Sequence, residues 1–78
     1  MQYAKPRLKE LRERLNMSQY QIADALAFKQ PAWARYESGK SGMNTETLIH
    51  ICKTFNVSSD WLLGLTDEYK PLKKENNK

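Results

Sequence analysis

Cysteine and long apolar runs are the scarcest features of this chain of 78 residues. Its single cysteine, Cys52, cannot form an internal disulfide. No apolar stretch is long enough to cross a bilayer or to serve as a secretory signal. These absences exclude a disulfide-stapled fold and a membrane-spanning one, and we expect a soluble cytoplasmic protein.

Residues that carry catalysis or hold metals are scarce as well. His50 is the only histidine, and its spacing of two from Cys52 puts the pair on different faces of a helix. The sequence contains no catalytic pair, no phosphate-binding glycine loop and no cluster of metal ligands. We therefore predict a protein that is not an enzyme and that has no cofactor and no metal.

Charge is distributed unevenly along the chain, whose net charge is +4 at pH 7. Residues 1–40 hold eight basic and four acidic side chains, residues 41–69 one and four, and residues 70–78 four and one. Two basic ends favour an anionic partner. The length allows one small domain, and we place it over residues 1–66, followed by a polar, lysine-rich, flexible tail over residues 67–78.

Apolar residues recur at spacings of three and four, and no run alternates polar and apolar residues as a strand does. The sequence therefore predicts an all-α domain of five helices. Their apolar stripes are Leu8, Leu11 and Leu15 in helix 1, which begins near Pro6; Ile22, Ala23 and Leu26 in helix 2; Trp33 and Tyr36 in helix 3; Leu48, Ile51, Cys52 and Phe55 in helix 4; and Trp61, Leu62 and Leu65 in helix 5.

Capping signals mark the helix ends. Ser18 and Gln21 have the spacing of a capping box at the start of helix 2, and Asn44 and Ser58 suit the starts of helices 4 and 5. Helix 3 runs from about residue 30 to residue 38, and Gly39 fits a left-handed cap. Two short helices joined by a tight turn indicate a helix-turn-helix, in which helix 3 enters the major groove of DNA.

The run SQYQIADALAFKQPAWARYESGK at residues 18–40, followed by TLIHICKTFNVSSDWLLGLTD, resembles the phage repressor and Cro-like (XRE-type) helix-turn-helix family. The resemblance covers roughly residues 7–67 and implies a compact repressor-like domain that binds duplex DNA. The features that carry it are Ser18-Gln19, Ile22-Ala23, Glu37 two residues before Gly39, and the closing run from Val57 to Gly64.

The chain departs from the family pattern at several positions. Ala27 occupies a turn position that is usually glycine, so the turn must accommodate a side chain. Helix 3 opens with KQPA at residues 29–32, and Trp33 stands at a common aliphatic core position. The loop at residues 40–44 supplies no arginine for the minor groove.

Helix 3 carries the side chains that we predict to read bases. Arg35 is placed to contact guanine N7 and O6, its alternative being a solvated surface arginine. Gln30 can read an adenine, contact a phosphate or act only as a helix cap. Pro31 and Ala34 can contact a thymine methyl group, although simple helix filling explains them equally well.

Around helix 3, Gln19, Lys29 and Lys40 are predicted to contact the DNA backbone. The family resemblance also implies that Arg12 and Glu37 form a partly buried ion pair, which links helix 1 to the end of helix 3 and orients the reading helix. The large aromatic residues could instead form a stacking platform for single-stranded nucleic acid. Their helical spacing favours core packing for Phe28, Trp33, Tyr36 and Trp61, with Tyr20 exposed.

These observations predict a sequence-specific DNA-binding transcriptional regulator that acts as a repressor. A domain this small reads few bases, so we expect a homodimer on a pseudo-palindromic operator, joined through helix 5 and the segment 69–72. The alternative is an antitoxin-like module of the same fold, whose tail folds on a partner protein.

Overall fold

The structure, a computed structural model, describes residues 6–71. It contains helices α1 (Leu8–Arg14), α2 (Gln19–Ala25), α3 (Gln30–Ser38), α4 (Thr45–Phe55) and α5 (Ser59–Leu62). No strand occurs in this range, so the predicted all-α fold of five helices, with a helix-turn-helix formed by α2 and α3, is confirmed. None of the helices in the described part of the chain has the length and apolar character to span a membrane.

The predicted capping residues are in place. The Ser18 side chain accepts from the Gln21 backbone N–H, while the Gln21 side chain accepts from the Ser18 backbone N–H. Asn44 and Ser58 cap α4 and α5 in the same way through their side-chain oxygens. Gly39 ends α3 with φ of 83°, a left-handed conformation that suits glycine.

The core lies where the helices converge, and it confirms most of the predicted apolar stripes. Trp33 and Trp61 are fully buried in it, whereas Tyr20 is 71% exposed, so the aromatic residues are distributed as a packed core requires. The other buried hydrophobic residues are Leu8, Leu11, Ile22, Ala23, Leu26, Ile51, Cys52, Val57 and Leu62. Leu15, Phe28, Tyr36, Leu48 and Phe55 pack against this core while partly buried.

The start of the first helix and the burial of Leu65 differ from the prediction, whereas Gly64 follows the end of the last helix as expected. The first helix begins at Leu8, because Arg7 is its non-helical N-cap, and Pro6 precedes it. The last helix ends at Leu62, and Gly64 follows in a left-handed conformation with φ of 82°. This bend carries Leu65 away from the core, where it is 75% exposed.

A residue of α4, His50, contacts the turn of the helix-turn-helix and stabilises it. Ala27 adopts φ of 61°, so the chain makes the turn without the usual glycine. Phe28 then packs against Tyr36 and against the edge of the His50 ring, with centroids 6.1 and 5.8 Å away. His50 Nε2 lies 3.0 Å from the Leu26 carbonyl oxygen. These contacts fix the position of α3 relative to α2.

Ala27→Gly is expected to raise the free energy of unfolding by about 1 kcal/mol, because a Cβ is disfavoured in the left-handed region. The matched control is Ala25→Gly, another exposed alanine that lies in α2. There the same substitution should lower stability by up to about 1 kcal/mol. Chemical denaturation of both variants checks the opposite signs, and equal signs would contradict this explanation of the turn.

The segment after α5 packs back onto the domain. The Ser58 N–H donates to the Lys70 carbonyl oxygen at 2.9 Å, and the Tyr69 ring meets the Trp61 ring edge to face at 4.7 Å. The Arg14 guanidinium lies 4.4 Å from the Tyr69 ring centroid, and Arg7 pairs with Asp67 at 2.7 Å. The predicted boundary after residue 66 stays a prediction, and residues 1–5 and 72–78 lie outside the described range.

Candidate nucleic-acid interface

The outer face of α3 is open to solvent. Pro31 and Arg35 are exposed, and Ala34, between them on the same face, is half-buried. Proline within the first turn of a helix is well tolerated, since it has no N–H to leave unpaired. Among the described residues, the Arg35 guanidinium has no hydrogen-bond or ion-pair partner. It is therefore free to meet an external acceptor.

Two shallow depressions flank this helix, each with a volume of about 330 Å³. One is lined by Gln19, Ala34, Arg35, Ser38 and Lys40. The other brings Lys29, Gln30 and Pro31 together with Tyr20, Ala23, Asp24 and Phe28. The two lysines thus lie at opposite ends of α3, Lys29 at its N-cap and Lys40 just after its C-cap, and both are exposed. Exposed lysines beside a reading helix suit contact with phosphates.

Glu37 forms the centre of a hydrogen-bond network behind α3. The predicted ion pair with Arg12 is present: Arg12 Nε donates to Glu37 Oε2 at 2.8 Å, and Arg12 Nη2 donates to Oε1 at 3.2 Å. Gln19 Nε2 donates to Oε1 at 2.9 Å, and Trp33 Nε1 donates to Oε2 at 2.9 Å. One carboxylate therefore ties α1, α2 and α3 together.

The network keeps Glu37 charged. Burial alone raises the pKa of the Glu37 carboxyl, but the hydrogen bonds from Arg12, Gln19 and Trp33 outweigh it and lower this pKa below its ordinary value. The bond to Glu37 in turn raises the pKa of Arg12. With side chains only 8% and 17% exposed, the pair is mostly shielded from water.

The two glutamines predicted to contact DNA are joined to each other. Gln30 Nε2 donates to Gln19 Oε1 at 2.9 Å, and both residues are half-buried. Gln30 is the first residue of α3, and one hydrogen of its amide is bonded to Gln19. Both polar atoms of the Gln19 amide are also engaged, since Oε1 accepts from Gln30 and Nε2 donates to Glu37. Their proposed DNA contacts must be made with the groups that remain.

Besides the Gln19 amide, sequence reasoning missed one other member of this network, the indole of Trp33. Its position in the apolar stripe pointed only to packing, and the ring is indeed fully buried. The spacing of four between Trp33 and Glu37, which brings side chains together on a helix, was the available signal. A tryptophan at this position adds a hydrogen bond that an aliphatic residue cannot make.

The fold and the open face of α3 define a helix-turn-helix domain, and a comparison with family models agrees. The model described as a helix-turn-helix domain matches residues 6–68, so the chain belongs to this family. Its resemblance to the phage repressor and Cro-like branch is likewise confirmed by the relatives that it matches.

Three relatives show the kinds of protein that this chain resembles. The cryptic phage CTXphi transcriptional repressor RstR of Vibrio cholerae is 34% identical over 70 residues, which cover 87% of this chain and 62% of RstR. The uncharacterized HTH-type transcriptional regulator YobD of Bacillus subtilis is 27% identical over 71 residues, covering 91% of this chain and 63% of YobD. Antitoxin PezA of Streptococcus pneumoniae is 30% identical over 69 residues, covering 81% and 44%.

The chain therefore spans less than two thirds of the length of each of these relatives. No solved structure matched the chain in the corresponding comparison.

Proposed function

We propose that this protein is a sequence-specific duplex DNA-binding transcriptional regulator that acts as a repressor, with α3 in the major groove. The observation that carries the proposal is the outer face of α3, where the unpaired Arg35 guanidinium stands beside Pro31 and Ala34. An unpaired arginine can bond guanine N7 and O6 together, and the apolar neighbours can meet a thymine methyl group. The family membership and the repressor among the relatives support the same reading.

The backbone contacts that we propose come from the two ends of α3. Lys29 at the N-cap and Lys40 after the C-cap supply the charge. Gln19 lines the same depression as Lys40, and its second amide hydrogen remains available beside the bond to Glu37. These residues position the domain on the duplex, and they carry no sequence information themselves.

Binding to duplex DNA is expected to weaken steeply as salt rises, with a log-log slope of about 0.9 per neutralised phosphate. Titrations at several salt concentrations on one duplex measure the slope. Lys29→Gln and Lys40→Gln should each reduce this slope by roughly one contact. A flat salt response, or no duplex binding at low salt, would contradict the proposed function.

The proposed homodimer uses the exposed apolar surface of α4 and of the residues at the end of α5. Leu63, at the end of α5, is 47% exposed, and Ile49 on α4 is 45% exposed. Between these helices lies a depression of about 300 Å³, lined by Thr45, Leu48, Ile49, Cys52, Lys53 and Ser59.

The segment 69–72, the other predicted contact, is less available. Tyr69 packs on Trp61 and Arg14 of the same chain, and Leu72 lies outside the described residues. The exposed apolar surface of α4 and α5 therefore supports the contact through α5.

Leu63→Glu is expected to shift the protein toward monomers, because it places a charge in the apolar contact. Affinity for a two-half-site duplex should fall, while affinity for a single half-site stays the same. Ala25→Glu adds the same charge on the exposed side of α2 and should leave the oligomeric state unchanged. Sedimentation of both variants checks this, and a monomeric parent protein would exclude the dimer.

The second candidate is an antitoxin-like module, which the relative PezA supports. RstR and YobD are named as transcriptional regulators instead. Selection of bound sequences from random duplex DNA separates the two candidates. An antitoxin-like module whose main task is to bind a partner protein would show no preferred duplex sequence.

A further inference from the structure

The hydrogen bonds that join Gln30, Gln19 and Glu37 have a fixed direction. A charged carboxylate can only accept, so the Gln19 amide must turn its Nε2 toward Glu37, as it does at 2.9 Å. Its Oε1 then faces Gln30 and accepts from Gln30 Nε2, also at 2.9 Å. Reversing either amide would set oxygen against oxygen or nitrogen against nitrogen. Glu37 therefore dictates the orientation of the Gln30 amide through the intervening Gln19 side chain.

This orientation determines what Gln30 can offer to DNA. One hydrogen of Nε2 is committed to Gln19, which leaves the second hydrogen as a donor and Oε1 as an acceptor. A donor beside an acceptor complements adenine, whose major-groove edge presents the N7 acceptor and the N6 donor. Guanine presents two acceptors, N7 and O6, so Oε1 would face O6 without a hydrogen between them.

We propose that Glu37, without touching DNA, is a specificity-determining residue that makes Gln30 prefer adenine over guanine. The inference rests on the proposed function, in which α3 reads the major groove. Arg12 and Trp33 take part because their donors hold the carboxylate in place from the other side. Glu37 is thus a positioning residue that acts on the base through two glutamine side chains.

Glu37→Gln is the most direct test, because it keeps the shape of the side chain and replaces one accepting oxygen by a donating nitrogen. It also removes the charge that pairs with Arg12, so the stability of the variant is measured alongside its binding. Arg12 Nε and Trp33 Nε1 both donate to the Oε2 position at 2.8 and 2.9 Å. Only the longer bond from Arg12 Nη2, at 3.2 Å, reaches Oε1 besides that of Gln19, so the new amide should keep its oxygen at the Oε2 position. Its nitrogen then faces Gln19 and donates to it. Gln19 reverses, and the Gln30 oxygen turns to accept from Gln19. Gln30 then presents its nitrogen, with both hydrogens, to the groove. Two donors suit guanine, which presents the acceptors N7 and O6.

The experiment uses the full chain and the duplex that the parent protein prefers. The position read by Gln30 is first identified as the one whose preference is lost in Gln30→Ala. Dissociation constants are then measured with adenine or guanine at that position. The parent protein should prefer adenine by about 5- to 150-fold, the range of one bidentate contact. Glu37→Gln should abolish or reverse this preference.

A second variant and a control keep the test independent of folding. Gln19→Met preserves the length of the side chain but removes both hydrogen bonds, so Gln30 loses its fixed orientation and the adenine preference should fall several-fold. Ala25→Gly weakens α2 without touching the relay, and its adenine preference should equal that of the parent protein. Circular dichroism melts confirm that each variant is folded at the temperature used.

The outcomes separate the two proposals. If folded Glu37→Gln and Gln19→Met both retain the parental adenine-to-guanine ratio, the role of Glu37 is wrong while the proposed function stands. If the parent protein itself shows no sequence preference on duplex DNA, the proposed function fails, and the role of Glu37 fails with it.

Discussion

Replacing Glu37 by alanine is expected to lower the free energy of unfolding by about 3 kcal/mol, the lower end of what breaking a buried ion pair costs. The substitution leaves the Arg12 guanidinium, 17% exposed, with its charge and without its partner. It also removes the acceptor of Gln19 and of the buried Trp33 indole. Thermal and chemical denaturation measure the change.

Lys9→Ala is the control for this prediction, since Lys9 is exposed on α1, and loss of an exposed charge changes stability by less than about 1 kcal/mol. Similar small effects of both substitutions would mean that the pair adds nothing to the fold. If Glu37→Ala binds DNA with the affinity of the parent protein, the pair has no role in orienting α3.

The same substitution should alter the response to acid. The folded-state pKa of Glu37 lies below its unfolded value, so its stabilising contribution is complete above the unfolded pKa of about 4.3. That contribution is lost as the pH falls through the folded pKa. The difference in stability between the parent protein and Glu37→Ala should therefore be constant near neutral pH and narrow in acid.

Arg35→Ala is expected to weaken binding to the preferred duplex by roughly 1 to 3 kcal/mol and to have little effect on random duplex. It should also relax discrimination at one base position in each half-site. Lys40→Ala is the matched comparison, because Lys40 lines the same depression as Arg35 and is assigned to the phosphates. Its loss should weaken binding to both kinds of duplex alike.

Competition titrations with preferred and random duplexes distinguish the two roles. A uniform loss of affinity in Arg35→Ala, with the preferred sequence unchanged, would make Arg35 a phosphate contact. Base reading would then depend on Gln30, on Pro31 with its apolar neighbours, or on the shape of the DNA.

Much of this fold could be predicted because local rules agree with tertiary packing. The capping box at Ser18, the Gly39 cap and the apolar spacing of α4 each fixed an element within a residue or two. The failures occurred where the backbone turns. A glycine in the left-handed region at position 64 redirected Leu65 out of the core, and periodicity carries no information about such a bend.

The site was only partly accessible to sequence reasoning. An exposed position for Arg35 follows from the helical period, and the pairing of Arg12 with Glu37 followed from the family resemblance. The joining of Gln30 to Gln19 did not, because these residues lie on different helices and meet only through the angle between α2 and α3. That angle depends on the turn at Ala27 and its support by His50.

Selection of bound sequences from random duplex DNA, with the full chain at low salt, tests the central claim most directly. We predict enrichment of a pseudo-palindromic site whose half-sites are about 10 base pairs apart, one helical turn. Each half-site should contain a guanine whose selection disappears in Arg35→Ala. Recovery of no enriched sequence from a folded protein would contradict the assignment of α3 as a reading helix.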